Sequence, residues 1–281
     1  MATPIVTGQT KLLGVMGYPV TYSLSPIMHN RALEVLGLDY IYVAFPVPIA
    51  RFAAAMEGFF ACESIAGFNL TIPHKQEVLP YLAKISPVAQ TVGAVNTVKR
   101  SEQGWIGTNT DVEGFTHPLK KWERELETAL ILGTGGAAKA VIAGCQNLGI
   151  KNIHVAGRTL EKLQLLQQQF PIAIHSWAQI AELLPQVDLV VNCTPIGMAE
   201  QPGTPLDQEQ IKALPPQTIL YDLIYTPRPT QLLRLGQQQG LTTIDGLEML
   251  LYQGVLALEF WLEQPAPIGA MAAALGIPYK T

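Results

Sequence analysis

An apolar run, Ala129-Leu-Ile-Leu132, leads straight into Gly133-Thr-Gly135-Gly136-Ala137-Ala138. The run reads as a strand, and Ala138, Val141, Ile142, Cys145 and Leu148 then recur at helical spacing. Strand, glycine turn and helix in that order admit few folds. In the GxGxxG/A fingerprint the first glycine makes the tight turn and the second lets backbone N–H groups approach a pyrophosphate. A small third residue, here Ala138, lets helix and strand pack closely. Phosphates then lie at a helix N-terminus, where unpaired N–H groups and the helix dipole favour negative charge.

The following strand bears on which dinucleotide fits. Asn152-Ile-His-Val-Ala156 ends in Gly157-Arg158-Thr159, where NAD-binding chains usually place an acid on the ribose 2′-hydroxyl. A cation and a hydroxyl there suit a 2′-phosphate, so NADP(H) is the expected cofactor. The alternative is a surface Arg158 with Thr159 capping a helix over Leu160 to Gln169.

A chain of 281 residues, 48% hydrophobic and 14% charged, has ample material for one large or two medium packed domains. A net charge of −4 with no basic run argues against nucleic acid or an anionic membrane as a partner. No stretch of apolar residues is long enough to span a bilayer, and the N-terminus lacks a charged region followed by an apolar one, so a cytoplasmic location is expected. Cys62, Cys145 and Cys193 are odd in number and widely spaced. They are expected to be core thiols, with neither a disulfide frame nor a metal site.

Along the chain, Leu12 to Met16, Tyr40 to Phe45 and Ile65 to Thr71 read as strands, with helices over Pro26 to Leu36 and Ile49 to Phe60 between them. Three such steps predict a largely parallel sheet. A helix from Asp111, the glycine fingerprint, and strands at Leu189 to Cys193 and Ile219 to Asp222 follow. After Gly240 an apolar helical run, Leu247 to Leu262, precedes Gln264-Pro-Ala-Pro and a last helix. The expectation is a two-domain α/β protein: residues 1–110 plus 245–281 form a substrate domain to which the C-terminal helices return, and 111–244 a Rossmann-type domain.

Two polar clusters in the first domain are poorly explained by folding alone. In Asn69-Leu-Thr71-Ile-Pro73-His74-Lys75, polar and apolar residues alternate through a strand end and meet a proline suited to a first helical turn. Lys75 would then stand at the positive end of a helix dipole, an arrangement costing up to about 1 kcal/mol and favouring a proton-transfer role. A solvated lysine with its head turned outward is the alternative. The second cluster is Gly93-Ala-Val-Asn96-Thr97 with Asn109-Thr110-Asp111. There Thr110-Asp-Val-Glu113 fits a capping box and Asp111 a plain N-cap, just as Ser25 before Pro26 fits a cap. His29 and His74 read as packed or capping side chains.

Taken jointly, Gly17-Tyr-Pro19-Val-Thr-Tyr-Ser23-Leu-Ser25-Pro26-Ile-Met-His29-Asn30, the Asn69 to Lys75 segment, Gly93 to Thr97, Asn109-Thr-Asp111 and Asp245-Gly246-Leu-Glu-Met249-Leu-Leu-Tyr-Gln253 resemble the shikimate dehydrogenase family over nearly the whole chain. That resemblance implies NADPH-dependent, reversible reduction of 3-dehydroshikimate to shikimate, on the route to chorismate and the aromatic amino acids, without a metal. It also implies Lys75 as proton donor paired with Asp111. Ser23 and Ser25 would hold the substrate carboxylate with Tyr225 near it, and Thr71, Asn96 and Gln253 the ring hydroxyls. Gly133, Gly135, Gly136 and Ala137 would form the phosphate loop and Arg158 with Thr159 the 2′-phosphate pair. Thr194 would lie on the adenosine side, and Gly246 and Met249 beside the nicotinamide. Gly157 departs from the asparagine often found there. Two further readings are a quinate/shikimate dehydrogenase with relaxed choice and a non-catalytic sensor of dinucleotide or shikimate. The expected partner is a small molecule, with the protein a monomer or homodimer.

Overall fold

The computed structural model describes residues 6–122 and 124–279. They divide into two compact units: one runs up to Gly114 and resumes at Leu250, the other is Phe115–Met249. Each is built on a six-stranded sheet.

The first unit contains β1 (Lys11–Gly17), α1 (Ser25–Leu36), β2 (Tyr40–Pro46), α2 (Phe52–Ala61), β3 (Gly67–Leu70), β4 (Leu82–Ile85), α3 (Pro87–Val92), β5 (Thr97–Ser101) and β6 (Gly104–Thr108). The spatial order is β2-β1-β3-β5-β6-β4. β1 runs parallel to β2 and β3, and β4 parallel to β6, but β5 is antiparallel to both its neighbours. The sheet is therefore mixed rather than largely parallel, because the short β5–β6 connection makes a hairpin instead of a crossover. α1 begins with Pro26 in its first turn and ends at Gly37, whose φ of 64° is left-handed. α4 (Asp111–Thr116) leads out of this unit.

The second unit contains β7 (Thr128–Leu132), α5 (Gly136–Asn147), β8 (Asn152–Gly157), α6 (Leu160–Gln169), β9 (Ala173–Ser176), α7 (Ile180–Leu183), β10 (Leu189–Asn192), α8 (Gln208–Lys212), β11 (Ile219–Asp222), α9 (Gln231–Gln238) and β12 (Thr242–Ile244). All its strand pairs are parallel, in the order β12-β11-β10-β7-β8-β9. That is the doubly wound dinucleotide-binding order, with its switch point between β7 and β10. Every residue of β10 and β11 is buried, as continuous apolar strands covered on both faces require.

α10 (Gly246–Leu262) brings the chain back, and α11 (Ile268–Ala274) ends it. Leu251, Val255, Leu258 and Trp261 of α10 join Leu13, Val15, Met28 and Leu33 in one core of the first unit. Trp261 also donates its indole N–H to the Val98 carbonyl at 2.8 Å. Because α4 and α10 are continuous helices, the crossings fall inside them, after Gly114 and Met249, a few residues past 110 and 244. Cys145 is buried and Cys193 half-buried, but Cys62 is exposed just past the end of α2, so the expectation of three core thiols fails there. No helix among the described residues is long and apolar enough to cross a membrane.

Candidate active site

In the first unit, register gathers the polar residues at one sheet edge. The carboxyl ends of β1 and β3 lie together because the strands are parallel, with Met16 paired to Leu70. β5 runs the other way, so its start, Thr97, pairs with Asn69 of β3 and with Thr108 at the end of β6. The segments holding Ser23, Thr71, Lys75, Asn96 and Asp111 all leave or enter the sheet at that edge.

At its centre Lys75 Nζ meets Asp111 Oδ2 at 2.6 Å, with the two side chains 16% and 7% exposed. The expected helix at Lys75 is absent. Residues 72–78 form hydrogen-bonded turns fixed by distant contacts: the His74 ring is buried against Phe52 with Nε2 2.6 Å from the Val47 carbonyl, and Val95 N–H donates to the Lys75 carbonyl at 2.8 Å. A carboxylate, not a helix dipole, therefore defines the surroundings of this lysine.

Asp111 is likewise not an N-cap. The side chain of Asn109 accepts the N–H groups of Asp111 and Val112 at 3.0 and 3.4 Å, which satisfies the first turn of α4. The Asp111 carboxylate is thereby released to accept Lys75 on Oδ2 and Asn96 Nδ2 on Oδ1, the latter at 2.8 Å. Asn96, 2% exposed, spends its other N–H on Thr110 Oγ1 at 2.9 Å. It would reach a ligand by exchanging that bond.

Ser25 is the first residue of α1, which has no side-chain cap; its N–H donates to Ser23 Oγ at 3.3 Å. The cap reading fails at both Ser25 and Asp111. Thr71 sits against Gly17: a Cβ at residue 17 would stand 2.2 Å from Thr71 Cγ2, so only glycine lets the β1 end approach. Gln253, on α10, donates to the Leu250 carbonyl at 2.8 Å and precedes Gly254, which packs on Met28 of α1.

In the second unit, β7 is followed by Gly133, whose φ of 114° suits glycine, and Gly135 caps α5 with no side-chain partner. A Cβ built on Gly135 meets nothing within 4 Å, whereas one on Gly133 would press on Thr194 Cγ2 at 3.1 Å. The turn thus offers open backbone and the unpaired N–H groups of Gly136, Ala137 and the buried Ala138, a surround that suits a pyrophosphate. Thr194, beside Gly133, is held by Asn192, which accepts its hydroxyl at 2.7 Å.

Arg158 and Thr159 are exposed, and Thr159 stands at the N-cap position of α6 but makes no side-chain cap bond, so the surface placement of that alternative holds while its capping bond is not made. Gly157 is explained by its neighbour: a Cβ there would come within 2.7 Å of Thr134 Cγ2. Gly246 lies against the loop after β11, where a Cβ would strike the Leu223 carbonyl at 2.0 Å. Met249 is 9% exposed in the apolar core and Tyr225 half-buried in that loop. Asp222 ties the loops of this edge together. Its Oδ1 accepts Asn192 and the Ile224 N–H at 2.9 and 3.1 Å, and its Oδ2 accepts the Thr230 hydroxyl at 2.7 Å. Burial pushes that carboxyl up to about 6.

Sequence reasoning missed Asn109, Asn69, Thr97 and Asp222. The first three lie in motifs it had marked, but no spacing rule assigns their partners. Among the described residues, no group of three or more His, Cys, Asp or Glu side chains is placed to hold a metal.

The chain matches the family models described as shikimate dehydrogenase substrate binding domain over residues 15–98, shikimate / quinate 5-dehydrogenase over 119–248 and shikimate 5′-dehydrogenase C-terminal domain over 246–275. It is 52% identical to a shikimate dehydrogenase (NADP(+)) of Thermosynechococcus vestitus, over 97% of either chain. It is 50% identical to one from a Nostoc strain, over 96% of this chain and 98% of that one. Its structure is similar to that of shikimate 5-dehydrogenase from Thermus thermophilus in complex with NADP(H) and shikimate, with a TM-score of 0.84, 34% identity, and coverage of 95% of this chain and 99% of that one.

Proposed function

Because this chain belongs to the shikimate dehydrogenase family, we propose that it carries out the reversible, NADP(H)-dependent reduction of 3-dehydroshikimate to shikimate through Lys75 and Asp111. The 2.6 Å ion pair at the sheet edge carries this reading. NADPH, when bound, supplies the hydride that carbonyl reduction needs. As the substrate carbonyl becomes a hydroxyl, negative charge grows on its oxygen, and an ammonium beside it both stabilises that charge and supplies the proton. An ammonium has three N–H donors; Asp111 takes one and fixes where the other two point. In the reverse direction the same amine accepts the hydroxyl proton.

Ser23 and Ser25 serve the substrate carboxylate with Tyr225 near it, and Thr71, Asn96 and Gln253 serve its ring hydroxyls. The loop Gly133, Gly135, Gly136 and Ala137 takes the cofactor pyrophosphate, Arg158 and Thr159 its 2′-phosphate, Thr194 its adenosine side, and Gly246 with Met249 its nicotinamide side. The quinate reading is not favoured, because the family model over 119–248 spans both substrates but all three similar proteins named above are shikimate dehydrogenases; the sensor reading is not favoured, because Lys75 and Asp111 are both present and bonded.

The test is absorbance of the reduced nicotinamide with shikimate or quinate and NADP or NAD, in all four pairings. Turnover should be fastest with shikimate and NADP, and Lys75→Ala should lower kcat by about 100-fold or more with little change in KM. Unchanged turnover in that variant would end the mechanism.

A further inference from the structure

Behind Asp111 one chain of buried hydrogen bonds runs toward the carboxylate, and backbone groups fix the orientation of its two amides. Asn96 Oδ1 accepts the Thr110 backbone N–H at 2.8 Å, so Asn96 cannot be flipped, and its Nδ2 faces Asp111. Asn69 Nδ2 donates to the Asn96 backbone carbonyl at 3.1 Å, a group that only accepts, so Asn69 cannot be flipped either. Asn69 Oδ1 therefore faces the Tyr42 phenol, which must donate to it, at 2.8 Å. Asn69 Nδ2 also donates to Thr97 Oγ1 at 3.0 Å, and the Thr97 hydroxyl donates to Asn96 Oδ1 at 3.0 Å. Each donor points one step nearer the carboxylate, and Lys75 closes the chain from the other side.

We propose that Tyr42 is a positioning residue for the Lys75–Asp111 pair. Its phenolic proton fixes Asn69, and through Thr97 and Asn96 it holds the Asp111 carboxylate in the orientation that aims Lys75. The inference rests on the proposed role of that pair. Tyr42, Asn69, Thr97, Asn96 and Asp111 are each 5% exposed or less, so bulk water does not reach the chain to replace a lost donor. Linked polar groups of this kind polarise one another, and the effect of the last donor is felt at the acceptor end. The Tyr42 ring is held independently of its hydroxyl. It stacks on His29 with centroids 4.4 Å apart, and its backbone exchanges two 2.8 Å bonds with the Asn30 side chain. Tyr42→Phe thus removes the proton and keeps the packing.

The experiment measures kcat and KM for shikimate with NADP in wild type, Lys75→Ala, Tyr42→Phe and Thr97→Val, with Tyr42→Phe repeated in an Asp111→Asn background. Lys75→Ala tests the reading beneath: if it turns over like wild type, that reading and this one fall together. If Lys75→Ala is impaired, Tyr42→Phe is expected to lower kcat about 3- to 10-fold with KM within twofold, and to add little once Asp111 is Asn. Thr97→Val, which cuts the chain one step nearer, should lower kcat at least as much, and Thr97→Ser should restore it; this pair decides the matter if Tyr42→Phe does not fold. Unchanged kcat in Tyr42→Phe and Thr97→Val, or an equal loss from Tyr42→Phe with and without Asp111, overturns the inference and leaves the Lys75 reading standing.

Discussion

Acid should weaken this protein through His29. The ring is fully buried, stacked on Tyr42 and tilted against Trp261 at 5.4 Å, and neither ring nitrogen has a hydrogen-bond partner. Burial pushes its pKa from 6.5 down to about 3. In the unfolded chain the imidazole takes a proton near pH 6.5, while the folded one refuses it until about pH 3. Between those values the unfolded state binds more protons, so stability falls as pH falls. At about 1.36 kcal/mol per unit, the loss is roughly 2 kcal/mol by pH 5 and approaches 5 kcal/mol at the bottom of the window. Asp222 works in the opposite sense. Its carboxyl, raised from 3.8 to about 6, is protonated in the folded state first, so its contribution grows as pH falls across that interval, by up to about 3 kcal/mol. The wild-type acid profile sums these two with the contributions of His154 and His175, whose pKa values burial also lowers, and His29→Phe isolates the His29 part. Phe keeps the stack and removes two unsatisfied nitrogens, so at pH 7 the variant should be at least as stable as wild type. Urea unfolding of both proteins at pH 7 and pH 5, followed by fluorescence and circular dichroism, should show wild type losing about 2 kcal/mol more than the variant. Parallel losses, within about 0.5 kcal/mol, would refute the argument by showing that His29 takes its proton without unfolding.

Three other substitutions probe the cofactor loop and the scaffold. Arg158→Ala should raise KM for NADP about 10- to 100-fold, the loss of one or two charge-assisted bonds, and leave KM for NAD within twofold; initial rates with each cofactor decide. Gly157→Asn should lower stability by about 1–3 kcal/mol because its Cβ would crowd Thr134 Cγ2, and Thr134→Ala in the same chain should recover most of that, read from urea midpoints. Arg100 donates to the carbonyls of Phe59, Phe60, Cys62 and Ile65 and lies 4.4 Å over the Trp105 ring. Arg100→Lys cannot reproduce that fork, so a loss of about 2–3 kcal/mol is expected in the same assay, and a change below about 0.5 kcal/mol would count against it.

The parts of this molecule that were legible in the sequence are those whose cause is local. β7, β10 and β11 are apolar runs because both faces are covered, and the glycine turn after β7 is readable because backbone geometry demands glycine there. β9 and β12 were missed because each is a short, half-exposed edge strand with polar residues. The β5–β6 hairpin was missed because Lys99, Arg100 and Ser101 carry no apolar alternation; long-range bonds supply the cause instead, with Arg100 held by carbonyls at the end of α2. The site shows the same division more sharply. Thr110-Asp111 and Pro73-His74-Lys75 both satisfy a local helix-start rule; a helix does begin at Asp111, but Asp111 does not cap it, and at Lys75 no helix forms. Two acceptors, Asn109 and Asp111, stand two residues apart at the start of α4, and either could cap it by spacing. Asn109 does so because its amide also donates to the Ala94 carbonyl at 2.9 Å, which turns its oxygen toward the helix. Asp111 is left to face Asn96 and Lys75, brought in from other segments by the antiparallel register of β3, β5 and β6. A cap and a site carboxylate are thus distinguished by long-range pairing, which no window of neighbouring residues contains.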